Sequence, residues 1–253
     1  MKKEIHIFFT ALMFFTRIPC PKWVNHDPTY LQKSSKYFPL VGIVVGSIGA
    51  FVFYVLQLLF NTDIALLLSM VSTIYVTGGF HEDGFADVCD GFGGGWTKEK
   101  ILLIMKDSTL GTYGVAGLIL ILSLKFSALR EMKTEQIVIA LIAAHALSRF
   151  VATSLLYTHE YVLDNETSKI KPTAKSMETY QLVIAGIIGL LPLVAFKSVS
   201  VFLVIIPAYL SKMFLGAKFN KWIGGQTGDC AGAVQQLSEV IIYLSLIIIW
   251  KFI

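Results

Sequence analysis

The chain has 253 residues, of which 55% are hydrophobic and only 15% are charged, with a net charge of +4. Soluble domains usually carry about 25% charged residues, so this composition excludes an ordinary soluble protein and predicts an integral membrane protein. The three cysteines form no CxxC pair, which argues against a disulfide framework and against a clustered zinc site.

Seven apolar windows approach or reach the roughly 20 residues that a membrane-spanning helix needs. They cover residues 38–60, 63–81, 111–130, 135–157, 180–196, 198–216 and 239–253. The last three are short or contain proline, so we expect six or seven spans. Residues 5–15 are too few to cross a bilayer and predict an interfacial helix. The expected fold class is all-α, a polytopic α-helical membrane protein in which residues 1–253 form a single catalytic domain.

Basic residues alternate between rich and poor connections along these windows, as the positive-inside rule requires. The rich connections contain lysines throughout the long polar loops, among them Lys98, Lys100, Lys169, Lys171 and Lys175. We therefore expect a multi-pass protein of the cell (cytoplasmic or inner) membrane, with every long loop and the active site facing the cytoplasm.

An acidic stretch, GGFHEDGFADVCDGFGGG at residues 78–95, follows the second window and contains Glu82, Asp83, Asp87 and Asp90. If the second span continues as a helix through residue 90, Asp83, Asp87 and Asp90 share one face. Two carboxylates about 6 Å apart repel by about 3 kcal/mol at an effective dielectric constant of 20. Mg²⁺, which prefers oxygen ligands, would compensate this repulsion. The alternative is a merely solvated helix end.

Glycines close the acidic stretch and are expected to stop its helix. They are Gly91, Gly93, Gly94 and Gly95. Their alternative roles are a flexible turn or, for Gly93, Gly94 and Gly95, a close approach of backbone N–H groups to an anion.

Two further polar motifs lie on the same predicted side of the membrane. MKDSTLGTYG places Lys106 and Asp107 just before the third window, where Ser108 or Thr109 could cap the next helix. Lys106 and Asp107 could instead serve phosphate and metal.

GGQTGDCAGA, at residues 224–233, offers Gln226, Thr227 and Gly228 at the start of a helix, which is a suitable place for an anion. Asp229 is either a metal ligand, a base or the N-cap of that helix.

Arg149 lies within the fourth window, where a charge costs about 2.5–3.5 kcal/mol and usually has a task. The alternative is that its side chain extends to the membrane interface. His145, one turn away, is interpreted as a packing residue. Arg17 and Lys36 are either interfacial anchors or contacts for substrate anions.

The acidic stretch, IMKDSTLGTYG and GGQTGDCAGA, in that order, resemble the adenosylcobinamide-GDP ribazoletransferase (cobalamin synthase) family. FFTRIPCP and YFPLVGIVVG resemble its N-terminal signature. The resemblance implies a multi-pass, Mg²⁺-dependent membrane enzyme. It would join adenosylcobinamide-GDP to α-ribazole, or to its 5′-phosphate, and release GMP.

This chemistry suggests a role for each predicted site residue, because such transfers depend on positioning and on neutralising phosphate charge. The expected metal ligands are Glu82, Asp83, Asp87 and Asp90. The residues expected to complete the site, or to accept the hydroxyl proton, are Asp107 and Asp229. Those expected to stabilise charge on the phosphate oxygens are Lys106 and Arg149. Those expected to contact phosphate or guanine are Gly93, Gly94, Gly95, Gln226, Thr227 and Gly228.

Two other functions compete with this interpretation. CDP-alcohol phosphotransferases carry D-x2-D-G-x2-A-R, and here Asp87, Asp90 and Gly91 match its start, but Gly94 and Gly95 replace Ala-Arg. A divalent-cation transporter would place its carboxylates near the bilayer midplane. The expected partners are the corrinoid-GDP and ribazole substrates and membrane lipid, without nucleic acid; the sequence also allows a homo-oligomer.

Overall fold

The computed structural model describes residues 2–25, 27–162 and 177–252, and this part of the chain is helical, without a β-strand. Within it the α-helices are α1 (Lys2–Phe15), α2 (Pro28–Ser34), α3 (Phe38–Leu56), α4 (Thr62–Thr77), α5 (Phe80–Gly94), α6 (Lys98–Lys106), α7 (Thr112–Arg130), α8 (Thr134–Thr158), α9 (Thr179–Leu190), α10 (Ile205–Ile223) and α11 (Gly228–Phe252). Short 3-10 helices occupy Ser35–Tyr37, Leu191–Phe196 and Val199–Val204. The predicted loop lysines Lys169, Lys171 and Lys175 lie outside the described residues.

Six helical segments in the described ranges are long and apolar enough to cross a membrane, and the bent pair α4–α5 makes a seventh if it is counted as one span. The six are Thr29–Leu56, Thr112–Arg130, Thr134–Thr158, Thr179–Phe196, Val199–Ile223 and Gly228–Phe252. The expected all-α, polytopic fold with six or seven spans is therefore confirmed. Helix α1 has 14 residues and a length of about 21 Å, which is less than the roughly 30 Å of a hydrocarbon core.

The last span begins at Gly228, and not at residue 239 as the apolar window predicted. The difference comes from Gln235, Gln236 and Glu239, which lower the local hydropathy. All three are at most 2% exposed because they pack inside the protein and not against lipid. Since α10 extends to Ile223, the connection between α10 and α11 consists of residues 224–227.

The second window does not continue as one straight helix into the acidic stretch, but the three aspartates still lie on a single helix, α5. Helix α4 ends at Gly78 and α5 begins after Gly79, with an angle of 88° between the two helices. Gly78 and Gly79 have φ values of 70° and 71°, in the left-handed region that glycine adopts without a steric penalty. The Arg17 N–H donates to the Val76 carbonyl at 2.7 Å, so the segment after α1 is attached to this bend.

Helices α8 and α11 form the centre of the bundle. In their span windows, 78% and 67% of residues are buried, against 44% or less in the other four spans. Helix α8 packs against α3, α9 and α11, while α11 also packs against α5, α7 and α10. Polar side chains on α8 and α11 are therefore enclosed by protein, and those on α11 can contact the acidic helix α5.

Candidate active site

A cavity of about 610 Å³ lies beside the α4–α5 bend. Its lining residues come from the end of α1 and the segment after it, from the bend, from the start of α5 and from the α7 region: Phe14, Thr16, Arg17, Thr77, Gly78, Gly79, Phe80, Glu82, Asp83, Ala86, Leu110 and Leu118. The charged side chains in this lining are two carboxylates and one guanidinium. The cavity therefore combines apolar walls with groups that suit a cation and an anion together.

Glu82 and Asp83 are the two predicted metal ligands that line this cavity. Oε1 of Glu82 accepts a hydrogen bond from Nε2 of Gln236 at 3.0 Å, whereas Oε2 is buried without a hydrogen-bond partner in the described structure. A buried, unpaired carboxylate oxygen is costly and requires a donor or a cation. Asp83, the next residue, is exposed.

These two carboxylates fit Mg²⁺, which commonly takes one or two protein carboxylates and completes its shell with water and substrate phosphate. Among the described residues, no three His, Cys, Asp or Glu side chains are grouped closely enough to hold a metal by themselves. The arrangement therefore suits a metal that is shared with a phosphate-bearing ligand. The prediction that Asp87 and Asp90 also bind the metal stays a prediction.

Asp90 has a clear structural role in the described fold. Its carboxylate accepts the backbone N–H groups of Gly111 and Gly114, each at 2.8 Å, and the residue is 8% exposed. These N–H groups belong to the start of α7, where a helix leaves its first amides unpaired and favours a negative charge. The proposal that Ser108 or Thr109 caps α7 is wrong, because Gly111 is the N-cap residue and Asp90 satisfies the helix end from α5.

The glycine run was expected to stop the helix of the acidic stretch, and α5 does end within the run, at Gly94, with Gly95 as its C-cap residue. Gly91 is buried, and a Cβ on Gly93 would lie 2.5 Å from the ring of Tyr113. In the described fold these residues therefore permit close helix packing. The expected contact of Gly93, Gly94 and Gly95 with phosphate or guanine stays a prediction.

Lys106 and Asp107 lie at the junction between α6 and the loop that leads to α7. Lys106 is partly exposed in the last turn of α6, and Asp107 is the exposed C-cap residue. The Asp107 carboxylate accepts the Thr109 N–H at 3.0 Å, which is a typical Asx turn. Leu110, in the same loop, lines the cavity.

The GGQTG motif forms the short connection between α10 and α11. Thr227 Oγ1 accepts the Cys230 N–H at 3.3 Å, so Thr227 caps α11 and the alternative N-cap role for Asp229 is wrong. Asp229 lies in the first turn. The pKa of Tyr161 is raised, first by burial and then by the negative charge of Asp229. Asp229 therefore lies near residues 160–162, the segment that follows α8.

Gln226 pairs with that same segment through its backbone. Its N–H donates to the Glu160 carbonyl at 2.8 Å, and its carbonyl accepts the Val162 N–H at 3.0 Å. Gln226 and Thr227 are each 1% exposed, and Nε2 of Gln226 is buried without a partner in the described structure. Gly228 is exposed. The unpaired amide is compatible with the predicted ligand contact, which stays untested.

Arg149 belongs to a buried charged cluster that also contains Lys125, His145, Gln235 and Glu239. Arg149 is 1% exposed, so the alternative that it extends to the membrane interface is wrong. Its Nη1 donates to the His145 carbonyl at 3.1 Å and lies 2.9 Å from Nδ1 of the same residue. Nδ1 of His145 lies 3.5 Å from Oε2 of Glu239, so His145 is part of the cluster as well as of the packing. The predicted role of Arg149 in stabilising charge on the phosphate oxygens stays a prediction.

Lys125 and Glu239 were missed in the sequence analysis. Nζ of Lys125 lies 2.5 Å from Oε1 of Glu239, and both side chains are at most 3% exposed. The sequence did indicate them, because each is a charge inside an apolar window, 111–130 for Lys125 and 239–253 for Glu239. Charges within spans are rare and usually have a specific task.

The chain is similar to known proteins over nearly its whole length. The family described as cobalamin-5-phosphate synthase matches residues 7–247. A protein of Shewanella frigidimarina named adenosylcobinamide-GDP ribazoletransferase is 48% identical, over 96% of this chain and 94% of that protein. A protein of the same name from Shewanella oneidensis is 46% identical over 98% of this chain and 95% of its own length. No solved structure matches the chain.

Proposed function

The chain belongs to the cobalamin-5-phosphate synthase family and catalyses the ribazoletransferase step of cobalamin biosynthesis, and we propose that it does so with Mg²⁺ at Glu82 and Asp83. The observation that carries the proposal is the buried, unpaired Oε2 of Glu82, a residue that lines the cavity together with Asp83 and Arg17. The proposed substrates are adenosylcobinamide-GDP and α-ribazole or its 5′-phosphate.

In the proposed reaction, a ribose hydroxyl of the ribazole attacks the pyrophosphate phosphorus on the corrinoid side. The new phosphodiester bond forms as the bond to the GMP oxygen breaks, GMP leaves, and the hydroxyl proton passes to a base. Phosphoryl transfer of this kind depends mainly on positioning and on charge neutralisation. When bound, Mg²⁺ would supply neutralisation of the pyrophosphate charge.

The residues of this chain divide the work according to their positions. Glu82 and Asp83 bind the cation, and the Arg17 guanidinium at the same cavity donates charge-assisted hydrogen bonds to phosphate oxygens. Asp107 and Asp229 are the candidate acceptors of the hydroxyl proton. Arg149 is enclosed by protein and in this proposal supports the site from behind, without touching substrate.

We also propose that the cavity faces the cytoplasm from the cell membrane. Support comes from the lysine-rich connections, which the positive-inside rule assigns to that side, and from the loop before α7, which joins the cavity at Leu110. Apolar lining residues such as Phe14, Phe80 and Leu118 would suit one face of an amphiphilic corrinoid.

The test is release of GMP by the purified protein in detergent, supplied with adenosylcobinamide-GDP, α-ribazole or its 5′-phosphate, and MgCl₂. We expect GMP with Mg²⁺ and none after chelation with EDTA. Glu82→Gln and Asp83→Asn should each reduce turnover about 100-fold or more, because a metal supplies several kcal/mol and 1.36 kcal/mol is a factor of ten.

Asp63→Asn provides the matched control, since it removes an exposed carboxylate that pairs with Arg130 and should leave GMP release unchanged. Undiminished turnover in Glu82→Gln, or in EDTA, would refute the metal site. No GMP with any divalent metal would refute the activity itself.

A further inference from the structure

Gln236 on α11 contacts the acidic helix through its side-chain amide. Nε2 lies 3.0 Å from Oε1 of Glu82 and 2.9 Å from Oε1 of Gln235, and the residue is 2% exposed. An amide nitrogen carries two N–H groups, so both are engaged by these two acceptors. The orientation of the amide is therefore determined by its neighbours.

The preceding residue extends this chain of hydrogen bonds into the buried charged cluster. Nε2 of Gln235 donates to Oε2 of Glu239 at 2.6 Å and to Oγ of Ser148 at 3.1 Å. Because the nitrogen of Gln235 faces the Glu239 carboxylate, its oxygen faces Gln236. Lys125 holds the same carboxylate from α7. Two amides with defined orientations thus connect Glu239 to Glu82.

Close contact between α5 and α11 makes this connection short. A Cβ on Gly84 would lie 2.9 Å from the Cα of Asp229, so the two helix backbones meet where α5 carries only a hydrogen. Gln236 lies about two helical turns beyond Asp229, on the same face of α11. A larger residue at Gly84 would separate the helices and lengthen the hydrogen bond to Glu82.

The donor to Glu82 is a neutral amide, although a lysine is available in the same cluster. The Lys125 ammonium pairs with Glu239 and is separated from Glu82 by both glutamine amides. An ammonium in direct contact with Glu82 would compensate its charge and compete with a cation. As a neutral donor, Gln236 restrains the carboxylate without adding a positive charge to the one that Arg149 already supplies nearby.

From these contacts we propose that Gln236 is a positioning residue for the metal-binding carboxylate. Gln236 holds Oε1 of Glu82, so that the unpaired Oε2 points in one direction, toward the divalent cation. Groups that hydrogen-bond to metal-ligating carboxylates commonly orient them and contribute about 10–100-fold to metal affinity or activity. The inference rests on the proposed function, in which Glu82 binds Mg²⁺.

The test measures Mn²⁺ affinity by electron paramagnetic resonance in detergent without substrate, and then kcat and the Mg²⁺ dependence of GMP release. Gln236→Met keeps the length of the side chain and removes both donors. We expect Mn²⁺ affinity to fall about 10–100-fold, with the Mg²⁺ requirement for turnover rising in parallel. Ser245→Ala on the same helix removes a hydroxyl that donates to the Ile241 carbonyl, and should change neither value by more than about twofold.

A double variant separates positioning from general damage to the fold. If Gln236 acts through Glu82, Gln236→Met should have little further effect on Mn²⁺ affinity in a Glu82→Gln background. Gln236→Asn, whose amide is one methylene too short to reach Glu82, replaces the methionine variant if that protein does not fold. The same loss of affinity is then expected.

Each other result counts against the inference in a distinguishable way. Unchanged Mn²⁺ affinity in Gln236→Met, with GMP released normally by the wild type, overturns the positioning role and leaves the proposed function standing. An equal loss in the Glu82→Gln background also overturns it. Absence of GMP from the wild type overturns the proposed function itself, and the inference with it.

Discussion

Helix α7 carries two ion pairs that differ mainly in their environment. Nζ of Lys125 lies 2.5 Å from Glu239, and Nε of Arg130 lies 2.6 Å from Asp63. The side chains of the first pair are 3% and 1% exposed, while those of the second are 59% and 42% exposed. Replacing the cation of each pair therefore compares a buried charge with a solvated one on the same helix.

The expected effects differ in size because only the buried pair leaves a carboxylate without its ion-pair partner out of reach of water, although Arg149 of the same cluster still stabilises that carboxylate's charge. Lys125→Met should lower the free energy of unfolding by about 3–5 kcal/mol, which corresponds to a change of roughly 100-fold or more in the unfolding equilibrium. Because Gln235 and Tyr243 still donate hydrogen bonds to Glu239, the lower end of that range is expected. Arg130→Ala should give no measurable change, since exposed pairs are screened by water and salt.

Unfolding would be followed by circular dichroism in mixed micelles with a rising fraction of denaturing detergent. A double variant, Lys125→Met with Glu239→Gln, should lose less stability than the sum of the two single variants, because either single variant already breaks the ion pair. The reasoning is refuted if Lys125→Met and Arg130→Ala have equal effects, or if the double variant is as unstable as the sum of the single variants.

Two further predictions concern the bend and the N-terminal helix. Gly78→Ala and Gly79→Ala place a Cβ at nearly the same positive φ, but only at Gly78 would it meet Arg17, 2.6 Å away. Both variants should lose about 1–2 kcal/mol of stability, and only Gly78→Ala should also raise the KM for adenosylcobinamide-GDP. Equal KM values in the two variants would contradict the role of Arg17. A hydrogen-bonded ion pair with the buried Lys36 of the 3-10 helix Ser35–Tyr37 holds the pKa of Glu4 below its ordinary value of 4.5. Its contribution is therefore present above about pH 4.5 and is lost as the pH falls through the lowered pKa. The difference in melting temperature between the wild type and Glu4→Gln should shrink as the pH falls below about 4.5. A difference that stays constant with pH would contradict the role of this ion pair.

Features that depend on neighbouring residues were predictable from the sequence. Apolar length identified six or seven spans, and the spacing of Asp83, Asp87 and Asp90 placed them on one helix, which the structure confirms as α5. The apolar window placed the start of the last span at residue 239 because a hydropathy average does not distinguish a polar loop from a helix whose polar side chains are buried in protein.

Contacts between distant parts of the chain were not predictable. Glu82 and Gln236 are 154 positions apart, and no periodicity in either segment indicates that they meet. The 88° bend depends on two consecutive glycines in the left-handed region, a conformation that glycine allows but does not require. The cap of α7 came from another helix, so local capping rules pointed to the wrong residues.

Helix α7 is attached to the site at two points along its length. Asp90 holds its first amides at Gly111 and Gly114, and Glu239 holds Lys125, about 16 Å further along the helix. Immobilising a flexible side chain at the moment of binding costs about 0.5–1.5 kcal/mol. Here Asp90 and Glu239, which hold α7 in place, lose most of this freedom during folding. This part of the scaffold is therefore ordered before substrate arrives, and it should add little to the entropic cost of binding.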